Sequence, residues 1–126
     1  MAEIDFALRN PNNEPLKGAI FDLFIGRTHR QEVLNLLKQD GPMLLAVDET
    51  SVPGKAGFRA AAMPDGSPGL LAFTSAPEVV AYNPADAVLK TTAREVIERV
   101  RSDGYRGLVI SPSGPYLAVT LAELNA

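Results

Sequence analysis

Cysteine is absent from this chain, and histidine occurs once in its 126 residues. Without cysteine there is no disulfide, no thiolate metal site and no cysteine nucleophile. The absence fits a reducing compartment and is compatible with any other. A single histidine leaves metal binding to carboxylates. These are scattered at Asp48-Glu49, Asp65, Asp86 and Asp103, without EF-hand or H-E-x-x-H spacing. Excess positive charge is missing too: 12 basic residues face 15 acidic ones, for a net charge of −3. The long-range attraction that dominates nucleic-acid affinity is therefore not expected. No apolar run approaches the ~18 residues of a membrane span. The N-terminus, with Glu3 and Asp5 and no basic region before an apolar run, does not read as a secretory signal. What remains is ordinary globular composition, 46 % hydrophobic and 21 % charged. The expectation is a soluble cytoplasmic protein, with residues 1–126 forming a single domain.

Helix starts are marked by a hydroxyl residue followed three positions later by Glu or Gln, as in Thr28/Gln31, Ser75/Glu78, Thr92/Glu95 and Thr120/Glu123. In that spacing the hydroxyl accepts from a free helical N–H, and the longer side chain reaches back to the cap. After Thr92, the residues Ala93, Val96, Ile97 and Val100 recur at helical period, and Asp103-Gly104 offers a stop. The helix after Thr28 holds Val33, Leu34, Leu36 and Leu37 and should end at Asp40-Gly41-Pro42. An earlier stripe of Leu16, Ala19, Ile20, Leu23 and Phe24 starts at Asn13 and Pro15 and breaks near Gly26. Ile4, Ala7 and Leu8 suggest a further short helix, closed by Asn10-Pro11.

Strands are read from apolar runs bounded by turn residues. Pro42 to Asp48 is a short continuous run of the buried kind. Residues 58–63 and 69–74 flank Pro-Asp-Gly-Ser-Pro and should pair antiparallel. Residues 107–111 and 116–120, joined by Pro-Ser-Gly-Pro, should form a hairpin. Between the third and fourth of these strands lies room for two helices and a crossover. Residues 49–57 carry Gly and Pro without period and read as a loop. The fold class expected is α+β in two layers. It has a mixed, mainly antiparallel sheet of about five strands, helices packed on one face, and N-terminal helices before the sheet.

Catalytic readings find little support. His29 would have to meet Ser111 or Ser113 and a carboxylate such as Asp48, yet there is no G-x-S-x-G elbow. A surface histidine near a helix start is the plainer account. Thr74-Ser75 opens a helix whose free N–H groups could hold an anion, but Ser75 and Glu78 should already satisfy two of them. The arginines from Arg94 to Arg106 alternate with Glu95, Glu98 and Asp103, which suits solvated ion pairs. Only Tyr82, Tyr105 and Tyr116 could stack on bases, and core or rim positions explain them equally.

Several of these segments combine into a resemblance. Phe73-Thr74-Ser75, Pro77-Glu78, Gly104, Gly107-Leu108-Val109-Ile110 and Pro112-Ser113-Gly114-Pro115 are similar in order and wording to the SseB-like N-terminal domain. This is a bacterial family named for an enhanced-serine-sensitivity phenotype. The likeness covers residues 43–124, about two thirds of the chain. Members of that family tend to carry asparagine where this chain has Ser111. The resemblance implies an α/β domain without an assigned active site, so no catalytic residue carries over. The chain has neither the long heptads nor the membrane span of the similarly named secretion translocator.

The expected function is accordingly a non-catalytic interaction module. Its partner should be another protein, not nucleic acid or membrane, with no cofactor and no metal; self-association is left open. The alternative is a small-ligand binder or enzyme. If the crossover makes the third and fourth strands parallel, the turns Thr74-Ser75 and Ser111-Pro112-Ser113-Gly114-Pro115 emerge at one edge of the sheet. Tyr82 would lie one or two helical turns away. Thr74, Ser75, Tyr82, Ser111, Ser113 and Gly114 are thus the binding candidates. A deep pocket joining these hydroxyls to Asp48 or Tyr82 would favour the enzyme, and an exposed apolar patch would favour partner binding.

Overall fold

The structure is a computed structural model that describes residues 12–48, 57–111 and 114–125. The expected helix around Ile4, Ala7 and Leu8 and nearly all of the loop at 49–57 lie outside those residues, as do Pro112 and Ser113. The described elements are, in order, α1 (Glu14–Phe24), α2 (Arg30–Lys38), β1 (Pro42–Val47), β2 (Ala60–Ala62), β3 (Pro68–Phe73), α3 (Ala76–Tyr82), β4 (Ala87–Thr92), α4 (Ala93–Ser102), β5 (Gly107–Ile110), β6 (Leu117–Thr120) and α5 (Leu121–Asn125). The fold is α+β, with an open mixed sheet in the order β4-β1-β3-β5-β6; β2 pairs with β3 beside the end of β1.

The connections explain the polarity. The Pro64–Ser67 turn closes because the Asp65 carboxylate accepts from both the amide and the hydroxyl of Ser67, at 2.9 and 2.5 Å. β2 therefore returns antiparallel along β3. β5 and β6 form the expected hairpin. The long connection between β3 and β5 makes these two strands parallel, with Gly69 opposite Gly107 and Ala72 opposite Ile110. The connection also holds a strand that the sequence reading missed. β4 lies antiparallel along all of β1, from Pro42 opposite Thr92 to Val47 opposite Ala87.

Side chains alternate across the sheet, as strand geometry requires. Met43, Leu45, Leu70, Ala72, Leu108, Ile110, Leu117 and Val119 face one way and are covered by α1, α2, α4 and α5. Leu44, Ala46, Leu71, Phe73 and Val109 face the other way, where Met63 and Val79 of α3 pack on them. Helices thus gather on one face, and the short α3 crosses to the opposite one. α4 buries Ala93, Val96, Ile97 and Val100 as its period predicts. Its start is held by Thr92, whose hydroxyl accepts from the Glu95 N–H at 3.3 Å. Its end turns at Gly104, where φ is +79°.

α2 departs from expectation at both ends. Its cap is His29 in extended conformation, with no side-chain bond, so Thr28 does not cap it. It ends at Gln39, and Gly41 is small because a Cβ there would sit 2.8 Å from the amide nitrogen of Asn13. Two ion pairs then fasten the periphery. Arg59 donates to both carboxylate oxygens of Asp86, at 2.8 and 2.6 Å, and the Asp86 side chain is only 1 % exposed. That bond raises the Arg59 pKa above its ordinary value. Arg30 grips both oxygens of Glu123, at 2.8 and 2.9 Å, and also donates to the Ala118 carbonyl.

Candidate functional site

The parallel pair decides where a site can form. In open sheets, ligands favour the crevice beyond the carboxyl ends of parallel strands. β3 ends at Phe73 and β5 at Ile110, so Thr74-Ser75 and Ser111 leave the sheet side by side. The Ser111 amide donates to the Ala72 carbonyl at 2.9 Å. Ser111 then takes φ +56°, the left-handed region that non-glycine residues rarely adopt. Gly114 follows, its N–H reaching back to the Ser111 carbonyl at 3.4 Å.

α1 is brought to the same place by its first residues. The Asn13 N–H donates to the Thr74 carbonyl at 2.8 Å, and Asn12 bridges Ser75. The Asn13 side chain accepts from the Leu16 N–H at 3.3 Å and so caps the helix, while its amide contacts the Met43 sulfur at 3.9 Å. One asparagine therefore starts α1 and ties it to the end of β3. The face of α1 carrying Glu14, Lys17 and Phe21 then looks across at the first turn of α3.

Between them runs a groove of about 660 Å³. One wall is Ile20 and Phe21 of α1, the other Ala76, Pro77 and Ala81 of α3. Ser111, Gly114 and Pro115 close one end. The polar centre is Glu78. Its Oε1 accepts from the hydroxyls of Thr74 and of Ser75, the latter at 3.1 Å, and its Oε2 accepts from Ser111 at 2.6 Å. The ammonium of Lys17 stands 4.0 Å from Oε1.

Three of the candidate residues, Thr74, Ser75 and Ser111, are thus joined through one carboxylate, and Gly114 lies on the groove wall. Tyr82 is not among the lining residues. It packs its ring on Phe73, with centroids 5.6 Å apart. Ser113 falls outside the described residues. The expected capping box at Ser75 does not form, because Ser75 makes no side-chain bond to the helix N–H groups. Glu78 reaches back all the same, but to hydroxyls just beyond the ends of two strands. Sequence reasoning therefore placed Glu78 in a purely local role and passed over Lys17 and Phe21. A usable signal existed: a glutamate in the first turn of a helix that opens at a strand end, beside a serine-bearing turn on another strand. Phe24, assigned to the inward stripe, is 72 % exposed, and Ile25 beside it is 41 % exposed.

A second hollow, of about 450 Å³, lies near Arg30, Arg106 and Tyr116. Arg30 is already committed there to Glu123, whose carboxyl it holds down at about 2. His29 is exposed and lines neither hollow. Among the described residues, no group of three His, Asp or Glu side chains is placed to hold a metal ion. None of the described helices is long and apolar enough to cross a membrane.

In comparison with known families, the family described as SseB protein N-terminal domain fits residues 24–126. The matched span includes Thr74, Ser75, Glu78, Ser111 and Gly114, whereas the α1 wall with Glu14, Lys17, Ile20 and Phe21 precedes it. No curated protein and no solved structure matches the chain.

Proposed function

The chain belongs to the family of the SseB protein N-terminal domain, and from that premise we propose that it is a non-catalytic, cytoplasmic interaction module that holds a partner polypeptide in the α1/α3 groove. One observation carries the reading. The apolar wall does not stop at the groove: Phe21, 49 % exposed, continues along α1 into exposed Phe24 and Ile25. Large apolar side chains clustered on one surface mark interaction sites, whereas scattered ones do not. The hydroxyls favour binding over catalysis as well. They all donate to Glu78, and no imidazole lines the groove to activate any of them.

A second reading is a small-molecule site, favoured by the volume of the groove and its single polar centre. The two separate by experiment. Proteins captured from native cytoplasm by the parent chain should be lost with Phe21→Asp and with Ala81→Arg, and retained with Arg94→Glu on the exposed face of α4. Circular dichroism checks that each variant is folded. A capture profile unchanged by both groove variants would sink the interaction reading.

A further inference from the structure

We propose that the occupant of this groove is a polypeptide segment that lays apolar side chains along α1 and sets one cationic side chain, lysine or arginine, on the Glu78 carboxylate. The inference rests on the groove reading above and adds the chemistry of the partner.

A carboxylate offers about four lone-pair positions. At Glu78 three are taken, by the hydroxyls of Thr74, Ser75 and Ser111. These donors fix the carboxylate in place and orient it before anything binds. The remaining position is on Oε2. Among the described residues the one cation within 4.0 Å of this carboxylate is Lys17, which stands against Oε1 at 4.0 Å, beyond hydrogen-bond distance. The Lys17 side chain is 55 % exposed, against 18 % for Glu78. It rides on a flexible stem at the rim and can turn into water when another cation arrives.

The charges along the groove point the same way. Among the described residues, Glu14 and Glu78 line it with Lys17, two acids to one base. An anionic occupant would meet a carboxylate at the polar centre. A purely apolar occupant would cover Glu78 and cut it off from water, which is costly for a carboxylate that gains no cation in exchange. A segment that brings its own cation removes that cost and gains a charge-assisted hydrogen bond. The exposed stripe from Phe21 to Ile25 extends past the groove, so the occupant has to be longer than a free amine. A polypeptide meets both requirements.

The test is an NMR titration of the full chain with three blocked heptapeptides. Their apolar residues are identical and the central residue is lysine, norleucine or glutamate. All binding is read from amide shifts at Phe21, Ala81 and Gly114. The lysine peptide should bind on the order of tenfold tighter than the norleucine peptide, and the glutamate peptide weakest. Glu78→Gln should bring the lysine-to-norleucine ratio close to one without abolishing norleucine binding. Lys17→Met, an exposed substitution that should not disturb folding, should tighten the lysine peptide by removing a competitor.

Two results overturn the inference alone: norleucine or glutamate peptides that match lysine on the parent chain, or a Lys17→Met variant that weakens the lysine peptide. The latter would make Lys17 the counterion that a partner needs. If none of the three peptides shifts the groove amides, the polypeptide-groove reading itself falls.

Discussion

Met63 lies across Gly107: a Cβ built on that glycine would come within 2.5 Å of the Met63 methyl group. The same Cβ would run into the Val119 carbonyl oxygen on β6. Opposite it in the parallel pair, a Cβ on Gly69 would meet the Met63 sulfur at 2.8 Å and Val109 at 3.2 Å. Two facing glycines thus make the slot that one methionine fills. Gly107→Ala should cost about 3 kcal/mol, because backbone cannot yield, and Met63→Ala should not rescue it. Gly69→Ala should cost about 1–2 kcal/mol, and Met63→Ala should recover part of that loss, since a flexible thioether is the main obstacle. Urea melts of the single and double variants distinguish the two cases.

Helix caps give a second contrast. Thr92→Ala removes the oxygen that accepts the Glu95 N–H and should destabilise by about 1 kcal/mol. Thr28→Ala should change stability by less than about 0.5 kcal/mol, because His29 stands at the cap of α2 and Thr28 does not. Equal urea midpoints for the two variants would contradict the assigned helix starts.

Ser111 supplies a third prediction. At φ +56° a β-branched residue is strained, whereas asparagine tolerates the left-handed region. Ser111→Val, which also loses the hydroxyl that donates to Glu78, should lose about 2 kcal/mol. Ser111→Asn should be neutral or slightly stabilising, because asparagine tolerates the left-handed region. Thermal melts of the two variants check the order.

Acid should weaken the chain through Glu123. Its hydrogen bonds from Arg30 hold the carboxyl at about 2, against an ordinary value near 4.5. A depressed folded-state pKa means that the stabilisation is complete above about pH 4.5 and is lost as pH falls toward 2. The pair sits at the surface, so the loss should be about 1 kcal/mol and smaller in high salt. Glu123→Gln should lower stability at pH 7 and make the curve between pH 5 and pH 2.5 correspondingly flatter. Urea midpoints at three pH values read it directly.

The sequence carried most of the architecture because the interior of each element repeats one simple pattern. α4, the Asp65 turn and the β5–β6 hairpin are legible from period, cap and turn residues alone. β4 was not. It is an edge strand with Leu89 and Lys90 exposed, so Ala-Val-Leu-Lys-Thr-Thr shows neither a buried run nor clean alternation. The parallel pairing of β3 and β5 was foreseen only as a condition on the crossover, yet it is what gathers Thr74, Ser75 and Ser111. Glu78 was read only as a local capping residue for a related reason. Its partner Ser111 is thirty-three residues away, and spacing rules see only the local alternative. Tyr82 was expected near these hydroxyls, but the turn of α3 that carries it faces Phe73 instead.

Arg30 has a consequence beyond its ion pair. The bond from the Leu121 N–H to the Arg106 carbonyl fixes Gly107 and Thr120 as an unbonded pair in the β5–β6 ladder. By alternation, the N–H and carbonyl of Ala118 then point away from β5, toward open edge. An open edge recruits strands from other molecules, which is how sheet proteins precipitate. The Arg30 guanidinium occupies the Ala118 carbonyl, and the carboxylate of Glu123 holds the guanidinium there. One terminal strand is thereby plugged by a side chain from a distant helix. Among the described elements, β4 at the other end of the sheet and the short β2 also pair with a strand on one side only, and chain-to-chain growth would begin there.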